Sequence, residues 1–441
     1  MKLQDYQLAQ RHFALESAGV SALPELPTCA NWPELPVTQA QKDLIVQTLL
    51  GSGVNPEHKV WLQVGTYGGA IAEAIITALQ GKVADLFVQV IDTDFQNWLF
   101  AHADEAGVEA FGKAMADKVE PFDRRFMITP MTDDKPTVPA QPDKAKLYQA
   151  QLKHVREKSM RGEVHSTLTL LPTPKTANVD DIPFDDYVGL FVDMCDQPWD
   201  AIERGQLRLI DKLNAAGTIR LTNDDGTDIA MSLIDETGKH FTFANSLTKR
   251  NVPGSEAFSA PRRDSINGTI VAKGRFLAEH KGVGLVRDLT LKFENGQIVD
   301  FDAVEGKDEF ESFLERDPNN RFVGELGIGT NPYLKRHVCN TLLVEKIGGS
   351  FHLALGDCYT MTDYLGTPVH MNNGNHTASG DHWDITTMLY GKGGKMFLDG
   401  VAIMEDGVFL DPELDILNRG WAALPDDQVP TRWKARKTAF T

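Results

Sequence analysis

A histidine and an aspartate two residues apart in an apolar run, His382-Trp383-Asp384, can present a nitrogen and an oxygen to one cation if the run is a strand, since alternate strand residues share a face. Upstream, in Phe351-His352-Leu353-Ala354-Leu355-Gly356, the same period of two puts Phe351, Leu353 and Leu355 on one side and His352, Ala354 and Gly356 on the other. Four of the chain's twelve histidines (His352, His370, His376, His382) fall between 352 and 384, so metal chemistry is sought there first. Imidazole with carboxylate suits zinc, cobalt, manganese or iron rather than calcium. Two histidines and an aspartate make half a metal centre, and two further acids lie in unusual surroundings. Glu256 follows Pro253-Gly254-Ser255 and precedes Ala257-Phe258; Glu325 is a lone acid in the glycine-rich apolar run Gly324–Thr330. Lone buried acids are costly unless paired or bound to a cation.

Strands must position these groups, and the texture of the chain says which part supplies them. Lys59 to Val64 predicts a strand, Gly65 to Gly69 a glycine-rich turn, Ala70 to Leu79 a helix and Ala84 to Ile91 a strand, which together make a βαβ unit. The turn lacks the first G-x-G of a dinucleotide fingerprint, although Asp92 stands where a ribose-binding acid would; a tight turn packing a helix onto a sheet explains the glycines equally well. One helix is expected from Phe95 into the 110s, an exposed loop over Thr132 to Pro142, a charged helix over Lys144 to Arg161, a strand from Ser166 to Leu171, and a helical segment ending near Gly217. Beyond that, short strands such as Leu289 to Phe293 and Gln297 to Ala303 alternate with turn signals at Asn223 to Gly226, Asn267-Gly268 and Asn295-Gly296. The expected fold class is α/β: an N-terminal parallel-sheet βαβ domain (1–200) followed by a β-rich α+β catalytic domain (201–441).

The bulk numbers exclude several functions. A chain of 441 residues with 42% hydrophobic content can bury a substantial core. Its formal charge of −18 leaves no surplus of Lys and Arg for a nucleic-acid partner. Cys29, Cys195, Cys339 and Cys358 are scattered without a C-x-x-C pair, which suggests neither a disulfide framework nor a thiolate zinc site and fits a reducing cytoplasm. The polar N-terminus offers no signal-peptide core, and no apolar run is long enough for a membrane helix.

The runs PGSEAFSAP at 253–261, GELGIGTNP at 324–332, FHLALGDCY at 351–359 and HWD at 382–384 together resemble the thermophilic-type aminopeptidases, the two-metal family that includes aminopeptidases T and S. The resemblance extends to Leu171-Pro172-Thr173-Pro174-Lys175 and Gly226-Thr227-Asp228, and more loosely to the βαβ unit, so it covers most of the chain beyond the first fifty residues. It implies a cytoplasmic homodimer that removes N-terminal residues from peptides, with two divalent ions (zinc, cobalt, manganese or magnesium) on Glu256, Glu325, His352, His382 and Asp384. Glu325 is the expected bridge and Tyr359 the expected active-site tyrosine; Glu256 is open between ligand and general base. Paired metals about 3.5–4 Å apart lower the pKa of a shared water and stabilise the oxyanion of peptide hydrolysis.

Two departures bear on substrate preference: Ser255 stands where many relatives carry an acid, and Asp381 precedes His382 where an apolar residue is usual. His370 and His376 read as loop residues or partners of the ligands, and Cys358 as a small buried residue, since neither G-x-S-x-G nor H-E-x-x-H occurs. An alternative is a ring-cleaving dioxygenase of the 2,5-dihydroxypyridine type, which shares this kind of catalytic fold but uses one ferrous ion without paired glutamates. A third reading is a binding or structural protein that keeps the fold without turnover.

Overall fold

Val60 to Val64 bury every side chain, as a strand covered on both faces must, and this run (β1, Lys59–Val64) lies inside a four-stranded sheet. The computed structural model describes residues 2–21, 33–131, 141–160, 162–279 and 282–434. β1 pairs in parallel with β2 (Asp85–Val90) and β3 (Arg124–Pro130), and β3 with β4 (His165–Leu171), giving the order β2-β1-β3-β4. Helices occupy every crossover. Where one helix is expected from Phe95, two form, Thr93–His102 and Glu105–Val119, because the Asp104 carboxylate accepts from Gly107 N and starts the second. The charged stretch after Pro142 likewise divides into Pro142–Gln151 and Lys153–Met160. Most of the expected loop before it, 132–140, lies outside the described residues, as does Cys29.

The Gly65–Gly69 turn serves packing. A β-carbon on Gly68 would meet Ile128 and Val64 at 3.0 Å. Asp92 caps the next helix through Phe95 N at 3.2 Å and pairs with Arg11 at 2.6 Å, so the acid placed by sequence near a ribose is already engaged.

The chain divides into two compact units. The first comprises Met1–Ala177, Pro183–Val188 and Thr248–Val252 and holds the parallel sheet; the second comprises Asn178–Ile182, Gly189–Leu247 and Pro253–Thr441. Among the described residues of the second, fifteen further strands follow: β5 (Thr218–Thr222), β6 (Asp228–Ser232), β7 (Ala244–Ser246), β8 (Glu256–Ser259), β9 (Asn267–Leu277), β10 (Leu285–Glu294), β11 (Gln297–Glu305) and β12 (Val323–Gly329). They continue with β13 (Ser350–Gly356), β14 (Asp363–Tyr364), β15 (Thr367–Pro368), β16 (His382–Met388), β17 (Lys395–Leu398), β18 (Val401–Glu405) and β19 (Val408–Phe409). An antiparallel sheet runs β11-β10-β9-β6-β5-β17-β18-β19, a second runs β16-β13-β12-β8-β7, and β14 pairs with β15. The fold is α/β, a parallel βαβ part followed by a β-rich α+β part.

Asn295-Gly296 turns the β10–β11 hairpin with both residues at positive φ, as expected. Asn267-Gly268 instead opens β9. Gly268 pairs with Ile229, and a β-carbon there would overlap the Asp228 carbonyl, so this glycine permits close strand approach rather than a turn. Leu326, Phe351, Leu353 and Ile385 of the five-stranded sheet join Ile229 and Leu289 of the eight-stranded sheet in one core, with Ile202, Leu209 and Leu213 of helix Trp199–Ala215. No helix among the described residues is long and apolar enough to cross a membrane.

Candidate metal centre

The five-stranded sheet puts its large apolar residues into the core, and period two turns the intervening positions to the other face. Across that face Glu325 pairs with Ala354 and Ala354 with Asp384, one row; Gly327 pairs with His352, Gly356 with His382, and Gly329 with Glu256. Each bulky polar residue thus faces alanine or glycine, and the small residues make room for the imidazoles and carboxylates. All five lie in the second unit.

Glu325, His352 and Asp384 each offer an oxygen or nitrogen within 4.8 Å of the others. His352 Nε2 is 3.5 Å from Glu325 Oε1, 3.8 Å from Glu256 Oε2 and 4.0 Å from Asp384 Oδ1; His382 Nε2 is 3.0 Å from Glu325 Oε2 and 3.5 Å from Asp384 Oδ1. The two Glu325 oxygens therefore face different imidazoles. His382 Nδ1 lies 2.8 Å from the Asp357 carbonyl; donating its proton there leaves Nε2 as the free lone pair, the tautomer a cation requires. Tyr359 packs edge-on to Phe258 at 5.4 Å and lies 5.8 Å from the His382 ring.

Two residues that sequence reading passed over complete the cluster. Helix Thr341–Val344, capped by Asn340, ends at Glu345, and the next residue, Lys346, is fully buried with its ammonium 2.5 Å from Glu256 Oε1 and 2.6 Å from Glu345 Oε2. Glu345 in turn hydrogen-bonds Asp384. The available signal was of the same kind that singled out Glu325: charged residues enclosed by the apolar Leu342–Val344 and Ile347.

The charge balance tests whether cations fit. Four carboxylates, Glu256 and Glu325 buried and Glu345 and Asp384 partly so, share a single ammonium, that of Lys346. Burial alone would lower the imidazole pKa values. The Glu325 bond and the surrounding carboxylates reverse this, raising His352 to about 9, and the Asp384 and Glu325 charges carry His382 well above its ordinary value. Burial would likewise raise Glu325, but the two imidazoles hold it at about 2; burial raises Glu345 to about 8. The cluster thus draws positive charge onto its histidines, the charge that divalent cations would supply. Glu256 Oε2 is buried without a hydrogen-bond partner among the described residues, leaving one ligand oxygen uncommitted. Oxygen and imidazole nitrogen donors in this number fit divalent ions.

The remaining candidates fall elsewhere. His370 bonds Asp235 at 2.9 Å and stacks on Phe241, and His376 lies 3.9 Å from Cys358 Sγ. Burial raises the Cys358 thiol, which suits a packed residue. Ser255 is buried at positive φ with its hydroxyl 2.8 Å from that of Thr330, and Asp381 pairs with Arg316, Asn320 and Ser379 at 2.6–3.0 Å. Both departures are anchoring residues.

A family model described as thermophilic metalloprotease (M29) matches residues 40–409. The chain belongs to this family. Among curated relatives, it is 29% identical over 150 residues to aminopeptidase AmpS of Bacillus subtilis (strain 168), covering 31% of this chain and 34% of that protein. It is 28% identical over 176 residues to aminopeptidase 2 of Geobacillus stearothermophilus (38% and 40%) and 29% identical over 170 residues to aminopeptidase T of Thermus thermophilus (36% and 40%). The chain thus spans between about a third and two fifths of the relatives it matches. In fold it is similar to wild-type AmpT from Thermus thermophilus, with a TM-score of 0.63 at 18% identity over 84% of this chain and 99% of that one. A 2,5-dihydroxypyridine dioxygenase from Pseudomonas putida KT2440 aligns with a TM-score of 0.50 at 16% identity, over 86% and 100%.

Proposed function

We propose that this M29-family chain is a metal-dependent aminopeptidase that hydrolyses N-terminal residues from peptides. The observation that carries the reading is the convergence of Glu256, Glu325, His352, His382 and Asp384 on one face of the five-stranded sheet, where the buried Lys346 pairs with Glu256 and Glu345. The aminopeptidase names of its relatives support the substrate class.

In this reading Glu325, whose two oxygens face different imidazoles, would serve two divalent ions, with His352, His382, Asp384 and Glu256 as the other residues that would hold them. Such ions, zinc, cobalt, manganese or magnesium, would supply an activated water and stabilise negative charge on the peptide carbonyl oxygen. The chain's own groups do the rest. Burial and the nearby carboxylates push the Tyr359 hydroxyl well up, so it stays protonated and donates a hydrogen bond to that carbonyl oxygen. Lys346 fixes Glu256 through Oε1, which leaves Oε2 to bind or to accept a proton. The Asp357 carbonyl keeps His382 in the tautomer whose Nε2 points into the cluster. The same wealth of carboxylates argues against the one-iron dioxygenase reading. We further propose a homodimer in a reducing cytoplasm, in keeping with the burial of Cys195, Cys339 and Cys358.

The deciding experiment is metal analysis with a panel of aminoacyl anilides. Two divalent ions per chain, activity lost on chelation and regained on adding one of the four metals are expected. Oxygen uptake with a dihydroxypyridine and a single iron per chain would overturn the proposal.

A further inference from the structure

The first unit contains a cavity of about 230 Å³ lined by residues between Gln10 and Arg156. At about 30 Å³ per water, it has room for roughly eight waters or a compact organic molecule. Its walls mix polar side chains with apolar ones, Phe95, Leu99 and Met115 among the latter, and three of the polar residues form a directed chain with Trp61. Arg125 Nε donates to Gln63 Oε1 at 2.6 Å, Gln63 Nε2 donates to Gln89 Oε1 at 2.7 Å, and Trp61 Nε1 donates to the same Oε1 at 3.0 Å. Arginine and indole nitrogens can only donate, so the orientation of both amides is fixed by their partners.

Both glutamine carbonyls are thereby used as acceptors, and what this chain has left are donors: the two Nη groups of Arg125 and Nε2 of Gln89. The Arg125 guanidinium lies over the Trp61 ring at 4.3 Å, which fixes its plane, and it has no carboxylate partner among the described residues. The acid in the cavity wall, Asp92, is held by Arg11 at 2.6 Å and Gln7 at 2.7 Å. Arg156 bonds Gln149 at 2.8 Å and also lacks a carboxylate partner among the described residues. Burial lowers Arg125 to about 10, which leaves it charged at neutral pH. In a chain of net charge −18, an arginine without an acid, oriented by stacking beside apolar walls, matches a ligand that brings its own anion.

We propose that this cavity binds a small organic monocarboxylate with a flat apolar body, of the arylalkanoate type, its carboxylate on the Arg125 Nη groups and Gln89 Nε2 and its ring among Phe95, Leu99 and Met115. The site is separate from the metal centre in its residues and does not depend on the aminopeptidase reading.

Calorimetric titration of the full, metal-loaded chain tests this with three probes: 3-phenylpropanoate, its amide, and inorganic phosphate. One equivalent of the acid is expected to bind, about tenfold or more tighter than the amide. Arg125→Gln should abolish that preference, while Glu325→Gln should leave it intact, because an acid coordinated at the metal centre would be lost with Glu325. If Arg125→Gln does not fold, Gln89→Leu carries the test and must weaken acid binding several-fold. No saturable binding of the acid, equal binding of acid and amide, phosphate binding as tightly as the acid, an acid preference that survives Arg125→Gln, acid binding that Gln89→Leu does not weaken, or a preference lost with Glu325→Gln would each overturn the proposal.

Discussion

Gly327 stands directly opposite His352 across the β12–β13 ladder, and the imidazole fills the space where a β-carbon on Gly327 would lie. The glycine is therefore part of how the histidine reaches Glu325. Gly327→Ala should push the ring off its position, costing about 1–3 kcal/mol of stability through overpacking. Metal affinity should fall on the order of 10–100-fold, as when groups that orient ligands are lost. Isothermal titration of the metal-free variant with zinc measures the second effect, and unchanged affinity would refute this role for the glycine.

Tyr359→Phe separates binding from chemistry. The ring packs on Phe258 and should keep its place, so the bound metal and KM should hardly change. If the hydroxyl serves the developing oxyanion, kcat should drop about 10²–10³-fold. A loss confined to KM would mean that the tyrosine only holds substrate.

Lys346, itself fully buried, pairs with Glu256 and Glu345 at once. Lys346→Met should leave Glu256 buried without its counter-ion and cost about 3–5 kcal/mol, the usual penalty for removing one partner of a buried pair. Urea unfolding of the chelated proteins gives this difference directly. A loss below about 1 kcal/mol would show that the carboxylates are already compensated elsewhere.

His337, away from the metal cluster, sets an acid sensitivity. Its ring lies edge-on to Phe276 at 4.8 Å, its Nε2 has no hydrogen-bond partner among the described residues, and burial with the Arg275 charge lowers its pKa to about 3. A histidine depressed in the folded state takes up its proton first when unfolded. The native state should therefore lose stability as pH falls from about 6.5, the unfolded value, toward 3. His337→Leu should flatten that part of the stability profile and move the acid midpoint to lower pH; an unchanged slope in urea melts from pH 7 to 4 would count against it.

The sequence by itself determined which strands carry the chemistry. Period two in Phe351–Gly356 and His382–Asp384 separates core residues from polar ones, a local property, and the fold places Phe351, Leu353, Leu355 and Trp383 in one hydrophobic core. Glu325 was legible for a different reason, as a lone acid in an apolar, glycine-rich run. The exchange of turn for strand at Asn267-Gly268 shows the limit, since only the neighbouring β6 backbone reveals why a glycine is needed there. Glu345 and Lys346 needed the fold even more. A Glu-Lys pair resembles an exposed surface pair in sequence, and what makes it part of the cluster is the sheet order β16-β13-β12-β8, which brings β8 and the segment before β13 together from ninety residues apart. Sequence patterning sets which face a side chain takes; the tertiary structure sets which charges share that face and are shielded there from water, and so how strongly they act on one another.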